Sequence, residues 1–362
     1  MGPLGRTNGP CSPEQAAEIG HRSQRLVGAV NVAYLGLGVV LLTLAVTDLL
    51  WTTLWVDGGA GPLTSSLMAA TWSALKSVGK QHSRLLSLSG PLVLSLTLLT
   101  WVGLLWSGWV LVFSAGANAL DYTLGPEPVN WVGRMYFVAY TMFTMGNGDF
   151  SPTGGVWRIA TSLTTGSGMV LVTLSVTYLI NVLRAVVQKR SFASSVHGVG
   201  TRSESFVVTG WNGDDFDEHN LSLETLASQL SRIASQHNAY PILHYYRSAE
   251  RRYALPIAVA VFDDAMSLFR FGVTPEDRPS EPLVERGRSS VEDYLKSVYT
   301  LPIEPADQPP PAPDLTRLRE AGVPTVPDEE FADALGDESD RRRRTLGVVD
   351  SQAWQWSSNR DS

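Results

Sequence analysis

Three long stretches of this sequence contain no charged residue, and they constrain the fold more than any other feature. They cover Leu26–Thr47, Leu85–Leu120 and Ile159–Leu183. Each is long enough for the roughly 20 helical residues that cross the ~30 Å hydrocarbon core of a bilayer. The sequence therefore predicts three spanning helices and an all-α membrane protein.

A fourth uncharged run, Met135–Gly148, has only 14 residues and ends in Gly146-Asn147-Gly148. It is too short and too interrupted by glycine to cross as a helix. Backbone that leaves helical geometry at membrane depth is tolerated only where it is buried in protein or lines water, because lipid cannot satisfy its polar groups. We expect this segment to enter the membrane, return, and line a polar space.

Charge divides the chain into two parts. Residues 1–190 contain 11 Lys and Arg against 7 Asp and Glu, whereas residues 191–362 contain 17 against 28. An acidic soluble part is therefore expected after the membrane part, and its charge disfavours a nucleic-acid partner. The one cysteine, Cys11, excludes an internal disulfide.

The re-entrant segment has the composition of an ion filter. A pore helix over residues 132–143 followed by an extended strand would present successive carbonyls, and glycine permits the positive φ values that this requires. Four such strands around an axis bind cations, which the negative C-terminal end of the pore helix also favours. The predicted ion-binding residues are Thr144, Met145, Gly146, Asn147 and Gly148, with Asp149 at the filter mouth.

This segment resembles the pore loop of the tetrameric potassium channels, whose usual form is Thr-Val-Gly-Tyr-Gly-Asp. Thr144, Gly146, Gly148 and Asp149 match that form, and the order of outer helix, pore helix, filter and inner helix matches over about residues 90–190. The resemblance implies a prokaryotic-like, two-transmembrane pore-loop channel with an extra N-terminal helix. It also implies a homotetramer in a lipid bilayer that binds potassium ions only at the filter carbonyls and needs no cofactor.

Three positions depart from the family pattern. Asn147 stands where an aromatic residue is usual, Met145 replaces a β-branched residue, and Phe143 replaces a second threonine. Because asparagine reaches less far than an aromatic ring, a non-selective or sodium-permeable pore remains the alternative to a potassium-selective one. We predict that the filter is supported by Tyr136, Phe137, Tyr140 and Phe143, with tyrosine hydroxyls as partners for Asn147.

The inner helix is predicted over residues 156–187. Gly168 falls at the position of the family's hinge glycine and Gly166 lies beside it, but close helix packing explains both glycines equally well. A filter on the outer side leaves Arg184, Lys189 and Arg190 in the cytoplasm, which agrees with the positive-inside rule. We therefore expect a multi-pass plasma-membrane protein with a cytoplasmic C-terminal domain. Three spans place the N-terminus outside, and the alternative is that the first segment lies in the membrane interface without crossing.

The chain is accordingly divided into six predicted regions. They are an N-terminal tail (1–25), a leading transmembrane helix (26–55), an amphipathic linker on the inner leaflet (56–85), a pore domain (86–190, with its outer helix at 86–115 and filter at 144–149), a helical cytoplasmic domain (191–301), and a proline-rich strap with a charged tail (302–362).

Helices of the cytoplasmic domain are predicted from residue 220 and over 240–248, 254–269 and 289–298. The arginine run Arg341–Arg344 is typical of a solvated helix face. The acidic residues from Asp214 to Glu218 lack the spacing of a calcium loop, and the histidines lack that of a metal site. The regulatory ligand of this domain stays open.

The sequence thus predicts passive cation conduction, most simply of potassium, gated by the inner helix and the cytoplasmic domain. No cluster of a nucleophile, a metal ligand and an acid or base points to an enzyme. The alternative from another class is a non-conducting membrane sensor or scaffold, which the intact filter glycines disfavour.

Overall fold

The computed structural model describes residues 30–55, 59–79, 86–301 and 303–356. The predicted tail 1–25, with Cys11, lies outside them. The first elements in chain order are α1 (Val32–Leu54), α2 (Pro62–Gly79), α3 (Ser89–Ala115), β1 (Leu120–Tyr122), α4 (Trp131–Met142), β2 (Phe150–Pro152) and α5 (Gly155–Val199).

Within the described ranges, three helices are long and apolar enough to cross a membrane, namely α1, α3 and α5. Helices α3 and α4 begin and end within three residues of the predicted outer and pore helices. Helix α5 continues beyond the predicted inner helix, from residue 187 to Val199. Its last turns are amphipathic, and residues such as Phe192 and Val196 join the core of the soluble domain.

The described chain forms two compact units, the first of which comprises the described residues up to Thr47 together with Thr100–Thr173. Its aromatic core includes Phe113 and Phe137, whose rings meet edge to face at 5.0 Å. Strands β1 and β2 pair antiparallel with Asp121 opposite Ser151. This ladder joins the chain before α4 to the chain after the filter.

The second unit comprises the described residues within Asp48–Leu99 and those from Leu174 onward. Its soluble part is mainly helical, as predicted, and its core is built around Phe192, Phe206 and Phe262. The helices are α6 (Ser203–Gly210), α7 (Asn220–Ala239), α8 (Leu255–Ser267), α9 (Glu281–Val298), α10 (Leu315–Glu320), α11 (Asp328–Asp337) and α12 (Ser339–Ser351).

The helix predicted over 240–248 is wrong. A short 3₁₀ turn at Pro241–Tyr245 stands there instead, followed by irregular chain. The carbonyls of Leu243 and Tyr246 accept hydrogen bonds from Lys189, in addition to the local bond from the Tyr246 N–H to the Leu243 carbonyl. A distant side chain has therefore overridden local helix propensity.

The prediction that the arginine run is solvated is also wrong. Arg341 and Arg342 lie on α12 and their side chains are mostly buried, paired with Asp263 at 2.6 Å and with Asp264 at 3.2 Å. Arg342 also donates to the carbonyls of Pro310 (3.0 Å) and Pro311 (2.7 Å). The proline-rich strap and the charged α12 are thus packed into the domain, because buried carboxylates on α8 require these cations.

The apolar face of α2 predicted a helix on the inner leaflet, but at two positions protein covers that face. Met68 is fully buried beside Ile242 and Leu243. Trp72 packs edge to face on Tyr245, with ring centroids 6.1 Å apart. The same amphipathic pattern serves a membrane surface or a protein surface, so periodicity alone did not distinguish them.

Candidate functional site

Helix α4 is fixed at its N-terminal end by two side chains. The side chain of Asn130 caps its start by accepting from the Gly133 N–H at 2.8 Å. Arg134 donates to the carbonyls of Phe113 (3.3 Å) and Ala117 (3.0 Å) at the end of α3, where carbonyls lack helical partners. The start of α4 is therefore capped and held against the end of α3.

The filter backbone takes an unusual conformation at every second residue. Thr144, Gly146 and Gly148 have φ values of 58°, 64° and 80°. A chain that is left-handed at alternate residues can turn successive carbonyls to the same side, and glycine adopts this conformation without the penalty that a Cβ imposes. Thr144 is a β-branched exception, and such strained residues concentrate at functional sites.

Hydrogen bonds anchor the filter at both ends. At the inner end, the Met145 N–H donates to the Tyr140 carbonyl at 2.7 Å. At the outer end, the Thr123 hydroxyl donates to the carbonyls of Gly148 (2.8 Å) and Asp149 (2.9 Å). The Gly148 carbonyl, a predicted ion ligand, thus already has one donor, and its second lone pair remains for a cation.

Aromatic side chains lie behind the filter. Asn147 donates its side-chain N–H to the Tyr136 hydroxyl, the kind of contact that the sequence predicted. Tyr136 meets Tyr140 edge to face at 5.1 Å, and Tyr140 meets Phe137 at 5.4 Å. Tyr140 also donates to the Phe150 carbonyl at 2.9 Å. The structure thus brings three of the four predicted supporting residues together.

The fourth predicted support lies elsewhere. Phe143 is 49% exposed and Met145 is 65% exposed, and every residue from 143 to 148 is exposed in the single chain. Exposed apolar side chains beside an open backbone are typical of a surface that another chain covers.

The two candidate hinge glycines differ. A Cβ on Gly168 would lie 2.0 Å from the Met142 carbonyl oxygen, so α5 needs glycine there to pass the end of α4. Gly166 has no neighbouring atom within 4 Å of such a Cβ. The structure therefore gives Gly168 a packing role, and the hinge role of either glycine stays a prediction.

Sequence reasoning missed Asp48, a carboxylate on α1. It is buried, and its Oδ1 accepts from the backbone N–H groups of Leu63 (2.9 Å) and Thr64 (3.2 Å). These are unsatisfied donors at the start of α2, so Asp48 caps a different helix. A single acid within an otherwise apolar run was the available signal.

Sequence reasoning also treated Lys189 only as a cytoplasmic charge. The side chain is buried, and its Nζ donates to the carbonyls of Leu243 at 2.7 Å and Tyr246 at 2.8 Å. No local pattern marks this lysine, because its partners lie more than 50 residues away.

Comparison with known proteins gives the family. Residues 99–185, which contain α4, the filter and most of α5, match the family described as "Ion channel". The uncharacterized membrane protein YdjJ of Bacillus subtilis (strain 168) is 42% identical over 327 residues, which cover 90% of this chain and 96% of that protein. This chain belongs to the pore-loop ion-channel family.

The predicted family resemblance is thereby confirmed, and the channel is a membrane protein. The family match ends at residue 185, so the helical domain after α5 lies outside it, whereas the likeness to YdjJ extends over 90% of the chain. No solved structure matches the channel.

Proposed function

We propose that this channel conducts potassium ions selectively as a homotetramer in the plasma membrane. The observation that carries the proposal is the left-handed backbone at Thr144, Gly146 and Gly148, directly after the C-terminal end of α4. Carbonyls aligned in this way replace the hydration shell of a permeating cation. The pore helix adds a favourable field, because its C-terminal end carries partial negative charge.

The tetramer is supported by what one chain leaves incomplete. A single chain supplies one filter strand, and that strand is exposed together with Phe143 and Met145. A closed ring of four identical chains provides the remaining ligands and covers these side chains. In this arrangement Phe143 supports the filter of a neighbouring copy.

Selectivity for potassium is supported by the brace behind Asn147. Its hydrogen bond to Tyr136 extends the short amide to the aromatic cluster and so limits how far the filter can widen or collapse. Asp149 at the mouth raises the local concentration of cations. A filter without such a brace would pass sodium as readily as potassium.

Topology follows from the second unit. It contains the end of α1, the start of α3 and the end of α5 together with the soluble helices, so these three ends share one side of the membrane. The exposed Arg184 and Arg190 near the end of α5 favour the cytoplasmic side. Gating then acts on α5, which runs from the filter into the cytoplasmic domain.

The test is a flux assay on purified channel in liposomes with opposed potassium and sodium gradients. Potassium-selective flux that disappears in Gly146→Ala supports the proposal. Equal sodium and potassium flux would instead establish a non-selective pore. If no flux is seen, crosslinking shows whether tetramers have formed, and the assay is repeated after limited proteolysis has trimmed the cytoplasmic domain. Tetramers that carry no flux in either state would favour a sensor or scaffold.

A further inference from the structure

One six-residue stretch, Pro241–Tyr246, contacts several helices of the second unit, and we call it the junction segment. The hydroxyl of Ser89 at the start of α3 donates to the Tyr245 carbonyl at 2.5 Å. A Cβ on Gly90 would lie 2.4 Å from the Tyr246 ring, so only glycine admits this approach. Trp72 of α2 packs on Tyr245.

The end of α5 is attached to the same segment by Lys189. Lys189 is 2% exposed, and its Nζ donates to two junction carbonyls at 2.7 and 2.8 Å. Among the described residues, none places a carboxylate within 4.0 Å of this nitrogen. A buried charge without a counterion is costly. Small movements of the Leu243 and Tyr246 carbonyls away from Lys189 would leave this charge uncompensated, so they are disfavoured.

Further contacts strengthen the attachment of α5. Gln236 of α7 donates to the side chain of Gln188 at 2.5 Å. Tyr178 of α5 meets Tyr240 edge to face at 5.8 Å, and Val182 packs into the cluster that holds the junction segment. The helix end and the junction segment therefore move together or separate in one step.

On its other side the junction segment is tied to the end of the helical domain. Arg247, the next residue in the chain, is buried and donates to the Gln352 carbonyl at 2.7 Å. Its guanidinium stacks on Trp354 at 4.2 Å. The side chain of His244 lies 3.5 Å from that of Gln352. A rearrangement of the residues after α12 can thus be transmitted to α5 through Arg247, the junction segment and Lys189.

We propose that Lys189 is the positioning residue that transmits the state of the cytoplasmic domain to α5 and so sets the open probability of the channel. This inference rests on the proposed function, since it assigns a regulation to that pore. Its basis is the geometry of a buried cation shared between the inner helix and the junction segment. Such a link biases a two-state equilibrium at one end when the other end is displaced.

The experiment records single channels of the full chain in planar bilayers with Lys189→Met, Arg247→Met and the double variant. We expect each single change to shift open probability by about tenfold, within the usual range of coupling energies, at unchanged unitary conductance. The double variant is expected to shift it no further, because both residues act on one link. Lys189→Arg, which keeps the donors, should restore part of the wild-type value.

Arg184→Met is the matched control, since it removes an exposed cation from the same helix. It should leave open probability within about twofold of wild type, as surface substitutions usually do. Additive effects of Lys189→Met and Arg247→Met, or an unchanged open probability in Lys189→Met, would overturn the inference.

If Lys189→Met fails to form tetramers, Ser89→Ala tests the junction segment from α3, with the same expectation and the same overturning result. Failure of the proposed function is distinguishable from failure of this inference. It shows as absent or non-selective conduction in the wild-type channel, whereas failure of this inference leaves selective conduction with unaltered gating.

Discussion

Gly146→Ala gives the sharpest test of the filter, because its cost is worked from one backbone angle. Gly146 has φ of 64°, and a Cβ built there meets no atom of its own chain within 4 Å. The expected penalty is therefore conformational, about 1–2 kcal/mol per chain for an L-residue in the left-handed region. In a ring of four it becomes about 4–8 kcal/mol, since each chain pays separately.

A penalty of that size lowers the population of the aligned filter by about three to six orders of magnitude, at 1.4 kcal/mol per factor of ten. Potassium flux into liposomes should fall below detection in Gly146→Ala. Mixed tetramers provide a graded measurement. One altered chain in four should reduce the flux by about 5- to 30-fold, which corresponds to 1–2 kcal/mol.

Gly103→Ala is the matched control. Gly103 lies inside α3, has no positive φ, and has open space around a built Cβ. Alanine there should preserve flux, because it raises helix propensity by about 1 kcal/mol. Retention of more than a tenth of wild-type flux in homotetrameric Gly146→Ala would refute the reasoning, since the left-handed filter would then not be required for conduction.

Three other predictions concern separate parts of the chain. Tyr136→Phe removes the acceptor of Asn147, so sodium permeability relative to potassium should rise; an unchanged reversal potential under mixed gradients would contradict this. Asp48→Ala should destabilise α2 by about 1–2 kcal/mol through loss of its cap, measured as faster amide exchange there, whereas uniform exchange would argue against it. Burial lowers the pKa of His237 and of His244 to about 3, so unfolded chains bind protons below about pH 6.5 while folded chains resist them. Stability should therefore fall between pH 6.5 and 3, by about 2 kcal/mol per histidine at pH 5, and thermal unfolding of a variant with both histidines changed to Gln should show a weaker pH dependence.

Local rules were enough for the membrane part. The length of an uncharged run determines whether a helix can cross a bilayer, and this depends only on neighbours in the chain. Glycine at 146 and 148 adopts positive φ without the penalty that a Cβ imposes, whatever surrounds it. For these reasons the three spans, the pore helix and the left-handed glycines at 146 and 148 were accessible from the sequence, whereas the positive φ of Thr144 was not.

The soluble domain was less predictable, because its decisive contacts join distant segments. The sequence predicted that Arg341 and Arg342 are solvated, yet each pairs with a carboxylate 78 residues earlier in the chain. The 3₁₀ turn after α7 depends on a lysine 54 residues before it. Charge patterning along a helix cannot reveal partners at such separations.

The sequence by itself determined the spanning-length helices, the short helix before Thr144 and the left-handed glycines, because segment length, apolarity and glycine conformational freedom act locally along the chain. Only the tertiary structure decided what the buried charges do. No local sequence pattern reveals the roles of Asp48 and Lys189. Their roles follow from burial beside the backbone groups of other segments. Burial makes a charge expensive unless a partner is present, and the fold alone supplies that partner.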